Sequence, residues 1–227
     1  MNPKISGMPY PFHAEGIWIL GAGRFGRIAA ERLARRFTDM EFLVIDERAD
    51  RLDGLAEELG VKTLAASAIP VLSRQDLPDE LWIVPAIPVH AAFQWLLSGS
   101  GLASRATHAP VPESVDPQVP NPIRVADGTV YVSYATFLCP DACSEPEECC
   151  THTGEPRPGN LFDDLSKISV VGFQVSVLRS WQLAPGVGGY SMAQLRQLER
   201  DVLRRPGGHI VATSCRCHGV LNALHWS

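Results

Sequence analysis

Two groups of residues have types and spacings suited to chemistry. The first is "GAGRFG", residues 21–26, which sets Gly21, Gly23 and Gly26 in the pattern G-x-G-x-x-G. A dinucleotide carries a charged pyrophosphate that must lie against backbone N–H groups, and glycine leaves room for it. Gly21 suits a tight turn out of a strand. Gly23 removes the side chain that would block the phosphates, and Gly26 lets a helix pack close to the sheet. Arg24 and Phe25 fall between the glycines and count with them as cofactor-binding candidates. Asp46, followed by Glu47, lies 20 residues after Gly26, where a carboxylate accepts hydrogen bonds from the adenosine ribose. Such a carboxylate repels a 2′-phosphate, so NAD(H) is favoured over NADP(H). Arg48 and Arg51 are near enough in sequence to keep NADP(H) open.

The second group is made of thiols. Four of the six cysteines, Cys139, Cys143, Cys149 and Cys150, fall within residues 139–150, and the other two open "CRCH" as Cys215 and Cys217, followed by His218. In a reducing compartment such cysteines bind metal or do redox work more often than they form disulfides. Thiolates are soft ligands that suit zinc or an iron–sulfur cluster, although this spacing is that of neither a standard zinc finger nor a standard ferredoxin. The preferred set is Cys139, Cys143, one of Cys149 and Cys150, and Cys217 or Cys215, with His218 or His152 as a further donor. A metal would explain how a loop with so little apolar material stays ordered. Adjacent Cys149 and Cys150 pair with each other only under strain. A redox-active dithiol and plain reduced cysteines are the competing readings. Cys215 and Cys217 are expected where a strand hands over to a terminal helix, a position that lowers thiol pKa.

These residues need a scaffold. "IWIL" (17–20) stops at Gly21 like a buried parallel strand, "FLVI" (42–45) repeats the pattern and ends at Asp46, and "LWIV" (81–84) is a third such run. Weaker "VKTL" (61–64) is a fourth. Helical spacings follow the glycines, run over Leu52–Leu59 up to Gly60, and run over "PVHAAFQWLL" with Pro88 in its first turn. Strand and helix in alternation mean a parallel sheet covered by helices. Five prolines in "APVPESVDPQVPNP" (109–122) break the rhythm and read as a linker. Beyond it, Asp127-Gly128 marks a hairpin, "LFDDLSKI" a short helix and residues 170–183 a strand. "APGVGG" (184–189) reads as a loop. Ser191 and Gln194 have capping-box spacing ahead of a helix, and "HIVATS" (209–214) reads as the last strand. The expected fold is α/β: a Rossmann-type parallel sheet over 12–104, a proline-rich linker over 105–122, and an α+β region with a cysteine-rich loop over 123–227.

Bulk properties narrow the function classes. A formal net charge of −5 argues against a nucleic-acid partner, and 45% apolar residues with 20% charged is ordinary globular composition. No apolar run reaches the roughly 18 residues of a membrane helix, and the opening residues lack the apolar core of a secretion signal. The expectation is a cytoplasmic protein without direct membrane insertion, with a nucleotide cofactor and either a protein partner or a second copy of itself.

The stretch "IWILGAGRFGRIAAERLARRFTDMEFLVIDERADRL" resembles the nucleotide-binding TrkA-N, or RCK-like, domain of Trk-type potassium-uptake regulators, over about residues 16–60. That family pairs its glycine turn with the acidic residue of a "VIDxxxxR" string, matched by Gly21, Gly23, Gly26 and Asp46. The resemblance implies a Rossmann-type fold and NAD(H)-like ligands. The Gly-Asp pair that the family carries after its third strand is replaced here by "LAASAIPV", and its C-terminal ligand-sensing domain has no counterpart. Three functions follow. The first is an NAD-dependent oxidoreductase or electron-transfer protein that couples the coenzyme to the cysteine site. The second is an NAD(H)-sensing regulatory module with structural cysteines. The third is a zinc-stabilised fold without turnover. His90, after the third apolar strand, is a further candidate acid–base residue, against the commoner case of a helix-face histidine with a local hydrogen bond. Arg179 and Trp181 precede a glycine-rich stretch that either holds an anion or merely connects a strand to a helix.

Overall fold

The computed structural model describes residues 14–74 and 76–227. The first two residues of the expected nucleotide domain, His13 among them, lie outside the described residues. The chain opens β1 (Gly16–Leu20), α1 (Arg24–Arg36), β2 (Phe42–Asp46), α2 (Leu55–Leu59), β3 (Lys62–Ala65), α3 (Ala68–Leu72), β4 (Leu81–Pro85) and α4 (Ala91–Ser98). The four strands lie parallel in the order β3-β2-β1-β4. Ile17, Ile19, Val44 and Ile83 are fully buried. Strands covered on both faces must be apolar throughout, which is why these runs were legible. Gly60 closes α2 at φ +67°, the left-handed cap that glycine supplies without a steric penalty. Pro88 sits in the loop ahead of α4, which starts later than the proline suggests, with His90 as its N-cap.

The proline-rich segment is not a bare linker. It carries β5 (Ala106–Ala109) and a 3₁₀ turn over Glu113–Gln118. The hairpin of β6 (Ile123–Arg124) and β7 (Val130–Ser133) follows, with Gly128 at φ +84°. After the cysteine loop come α5 (Leu161–Leu165), β8 (Phe173–Arg179), β9 (Trp181–Ala184), β10 (Val187–Ser191), α6 (Met192–Leu203), β11 (Gly207–Ser214) and β12 (His218–Trp226). The second sheet runs β6-β7-β12-β11-β8, with β5 also on β12. The fold is thus α/β with two mixed sheets.

Two expectations fail here. The terminal helix is β12: the turn at Cys215–Cys217 folds the chain back into an antiparallel pair that runs from Ser214↔Gly219 to Gly207↔Trp226. β12 is buried on both faces, with Leu221, Ala223 and Leu224 fully inside, so its sequence shows no period of two. "APGVGG" is not a loop. Pro185 and Gly186 turn β9 into β10, and Gly188 and Gly189 lie within β10. A Cβ at Gly189 would stand 2.7 Å from the Ile83 carbonyl oxygen, so glycine there permits close backbone approach.

The sheets also do not part at the prolines. β10 pairs antiparallel with β4 through Tyr190↔Ile83, and β9 forms the edge beyond it, so two strands of the second half complete the first sheet. One apolar cluster joins Leu20 and Ile83 of the first sheet, Phe93 and Leu96 of α4, Leu195 and Val202 of α6, and Val211 and Leu224 of the second sheet. Each buried Leu, Ile or Phe contributes roughly 1.5–3 kcal/mol to that shared core. Helix α6 has the expected capping box, with the Ser191 hydroxyl accepting from Gln194 N and the Gln194 side chain from Ser191 N.

Candidate functional site

The glycine corner is built by close contact. Gly21 sits at φ +97°, and a Cβ on it would stand 2.6 Å from the Ala86 carbonyl oxygen. A Cβ on Gly26 would collide with the Gly21 carbonyl, so α1 lies as tightly on the turn as a glycine allows. Gly23 differs. It is the N-cap of α1, its φ of −68° is open to any residue, and a Cβ there meets nothing within 4 Å. Gly23 immediately precedes the first turn of α1, whose N–H groups have no partners within the helix. No acidic side chain lies in that turn.

Asp46 ends β2 beside this turn and is buried. Its Oδ2 accepts from Ala22 N at 2.7 Å, its Oδ1 from Arg48 N at 2.9 Å, and the Arg51 guanidinium stands 3.6 Å away. Burial works against the charged form. The two backbone donors and Arg51 outweigh it and hold the carboxyl below its ordinary value. Asp46 therefore braces the corner, and two N–H groups leave part of its acceptor capacity unused. Glu47 is exposed. Arg48 forms a two-bond pair with Asp50, at 3.1 and 2.6 Å. Phe25 is 60% exposed, with the Arg24 guanidinium 5.4 Å from its ring centre.

The cysteine loop docks against the same helix. Arg24, the first residue of α1, pairs with Asp141, which stands between Cys139 and Cys143. Arg32, two turns further along, donates to the Asp141 carbonyl at 2.6 Å and to the Pro185 carbonyl at 2.6 Å. Gly186 N donates to the Cys143 carbonyl at 2.7 Å, and Tyr134 N to the Cys217 carbonyl at 3.0 Å. The loop is thus held by backbone hydrogen bonds to β9–β10 and to the β11–β12 turn. Asp141 was missed in the sequence. Its neighbours advertise thiol chemistry, and nothing local announces a partner 117 residues away.

The structure brings the thiols of both segments together through His218. Its Nε2 lies 3.4 Å from Cys139 Sγ and its Nδ1 3.9 Å from Cys215 Sγ. Arg157 donates to Cys217 Sγ, and Cys143 Sγ lies 3.3 Å from Thr151 Oγ1. All six thiols are free and partly buried. Burial raises the Cys139 pKa, and nearby Cys143, Cys217 and Cys150 add to it by repulsion. Burial likewise raises Cys217 and pushes Cys215 up to about 12. The expected pKa lowering by a helix start is absent because the two cysteines occupy a hairpin turn. The Cys150 pKa is lowered, by the N–H groups of Thr153 and His152. Cys149 pairs through its backbone with Pro156, and the His152 ring stacks on Phe137 at 4.6 Å. Among the described residues no three His, Cys, Asp or Glu side chains already converge on one metal position.

His90 is a core residue. Its Nδ1 is 3.0 Å from Asn222 Oδ1 and its Nε2 2.8 Å from Thr213 Oγ1, while Asn222 donates onward to Thr129 Oγ1 at 2.9 Å. Burial lowers its pKa to about 4, so the ring is neutral at pH 7 with both nitrogens engaged. That is a satisfied structural histidine rather than an acid–base catalyst.

This is the setting for the comparisons with known proteins. Residues 92–227 match the AF_1314_C family, described as "Uncharacterized protein, C-terminal domain", and the chain belongs to that family. The match begins in α4 and takes in both cysteine segments together with β9 and β10. An uncharacterized protein of Archaeoglobus fulgidus is 30% identical over 223 residues, covering 91% of this chain and 97% of that one. The likeness therefore spans the glycine corner as well. Among the described residues no helix is long and apolar enough to cross a membrane.

Proposed function

We propose that the protein binds NAD(H) at the glycine corner and acts as an oxidoreductase or electron-transfer protein, with the cysteine cluster as its second redox component. The observation that carries this reading is the open space at Gly23 between two glycines that admit no side chain. A corner that was only a tight turn would need Gly21 and Gly26 but not Gly23. The remaining acceptor capacity of Asp46 suits a ribose hydroxyl, and its charge disfavours a 2′-phosphate, which supports NAD(H) over NADP(H). The resemblance of residues 16–60 to TrkA-N domains points the same way. When bound, the nicotinamide supplies hydride chemistry, while the chain's own residues bind the phosphates and orient the sugar.

The donor chemistry of Cys139, Cys143, Cys150, Cys217 and His218 fits a soft metal, zinc or an iron–sulfur cluster. The gathering of thiols from two segments around Cys139 and His218 favours a cation between them. Cys149 and Cys215 are the alternates. One observation favours a second reading as an NAD(H)-sensing module of the Trk type: Arg24 joins the corner to the cysteine loop through Asp141, so a ligand that recruits Arg24 releases the loop. Titration with NADH and NADPH, followed by metal analysis of anaerobically purified protein, tests both readings. Turnover of NADH that Cys139→Ser abolishes while binding persists supports the enzyme. Binding without turnover supports the sensor. No binding of either coenzyme refutes both.

A further inference from the structure

A separate cavity of about 210 Å³ lies where the cysteine loop meets the β8–β9 junction. Its walls include Arg36, Arg179 and Arg216 against a single carboxylate, Glu145. The Arg179 guanidinium is sandwiched between two rings, 3.6 Å from the centre of Trp181 and 4.2 Å from that of Phe162. Its Nε is buried and makes no hydrogen bond, and no carboxylate among the described residues stands within ion-pair distance of it. Arg216 is 6% exposed. It donates to Asn160 Oδ1 at 2.5 Å and lies 3.5 Å from Glu147. A flat guanidinium lying against two rings, paired with no carboxylate and with the Arg216 guanidinium close enough to repel it, is arranged for a ligand that carries negative charge.

We propose that this cavity is a binding site for a small anion, a carboxylate or a tetrahedral oxyanion, held by Arg179 and Arg216 beside the cysteine loop. Size sets the class. At about 210 Å³ the cavity is below the range of about 300–1,000 Å³ that takes drug-sized ligands. The Ser144 and Ser180 hydroxyls complete the wall with further donors. The site goes beyond the dinucleotide reading and does not depend on it. Arg36 ends α1 about 18 Å along the helix from Arg24, and no lining residue belongs to the glycine corner. Ser144 follows Cys143, and Arg216 separates Cys215 from Cys217, so a bound anion lies alongside the thiol-bearing segments.

The test is equilibrium binding and thermal melting of the full chain with sodium phosphate, sulfate or acetate, each against sodium chloride at equal ionic strength and without coenzyme. Saturable binding of at least one of the three, with a raised melting temperature, is the expected result. Protection by phosphate or sulfate alone assigns an oxyanion, and protection by acetate alone a carboxylate. Arg179→Gln should weaken binding roughly tenfold or more. Because that change also strips the stack between Phe162 and Trp181, phenylglyoxal labelling of the unaltered protein gives a second readout. Arg179, located by peptide mapping, should be shielded by the binding anion and not by chloride. The proposal is overturned if none of the three anions binds saturably, if labelling of Arg179 is unchanged by them, or if folded Arg179→Gln binds as tightly as the parent.

Discussion

Gly23→Ala separates a coenzyme site from a mere turn. At φ −68° and ψ −170° alanine meets no backbone strain, and its methyl group has no neighbour within 4 Å. Alanine is a poorer N-cap than glycine, which costs some tenths of a kcal/mol, while the stiffer unfolded chain returns about as much. Stability should therefore move by less than about 1 kcal/mol. Binding should not be spared. The methyl group stands over the first turn of α1, where the pyrophosphate must approach the N–H groups. Losing two charge-assisted hydrogen bonds at about 1.5 kcal/mol each removes about 3 kcal/mol, roughly a 100-fold loss of affinity. The assay is NADH titration by calorimetry, beside a thermal melt of the same preparation. Gly26→Ala is the contrasting control, because its Cβ collides with the Gly21 carbonyl and the variant should lose stability and binding together. A folded Gly23→Ala that binds NADH as tightly as the parent would refute the assignment of that space to the phosphates.

Three further outcomes are expected. His90 is fully buried with its pKa lowered from 6.5 to about 4, so the unfolded chain takes up a proton there before the folded one does; stability should be lost as pH falls from 6.5 to 4, by up to about 3 kcal/mol. A His90 ring resonance that titrates near pH 6.5 in the folded protein would contradict this. Arg24→Ala should change stability by no more than about 1 kcal/mol, as exposed ion pairs do, but should speed modification of the cysteines in residues 139–150 by a thiol reagent; an unchanged rate would show that the Asp141 pair does not restrain the loop. Ser191→Ala removes the capping box of α6 and should cost about 1 kcal/mol in urea unfolding with no change in NADH affinity.

The parts of the fold legible in the sequence were those set by local chemistry. Ile17–Leu20 and Phe42–Ile45 are apolar because both faces are covered. Gly60 and Gly128 occupy the positive-φ positions that their turns require, and Ser191 and Gln194 cap their helix as the spacing suggested. What was hidden depends on distant partners. β12 reads as a helix until β11, β7 and β5 flank its edges and two apolar clusters cover its faces. Gly188 and Gly189 read as a loop until the closeness of Gly188 to Ser180, and of Gly189 to Ile83 and Leu183, shows why side chains are excluded. In the candidate site, the close packing at Gly21 and Gly26 could be reasoned from their spacing. The reach of Arg24 to Asp141, of Arg157 to Cys217 and of Arg179 between two rings could not, because each joins segments far apart in the chain.

The insertion of β9 and β10 into the first sheet bears on how the protein is made. β4 has β1 on one side but finds its second neighbour only when Tyr190 arrives, more than a hundred residues later. A ribosome releasing the chain from its N-terminus exposes the β3-β2-β1-β4 half-sheet with a bare edge at Ile83, an invitation to strand pairing between nascent chains. Expression of residues 14–104 alone should leave that edge open for good, so the glycine corner is expected to be recoverable in folded form only from chains that extend through α6.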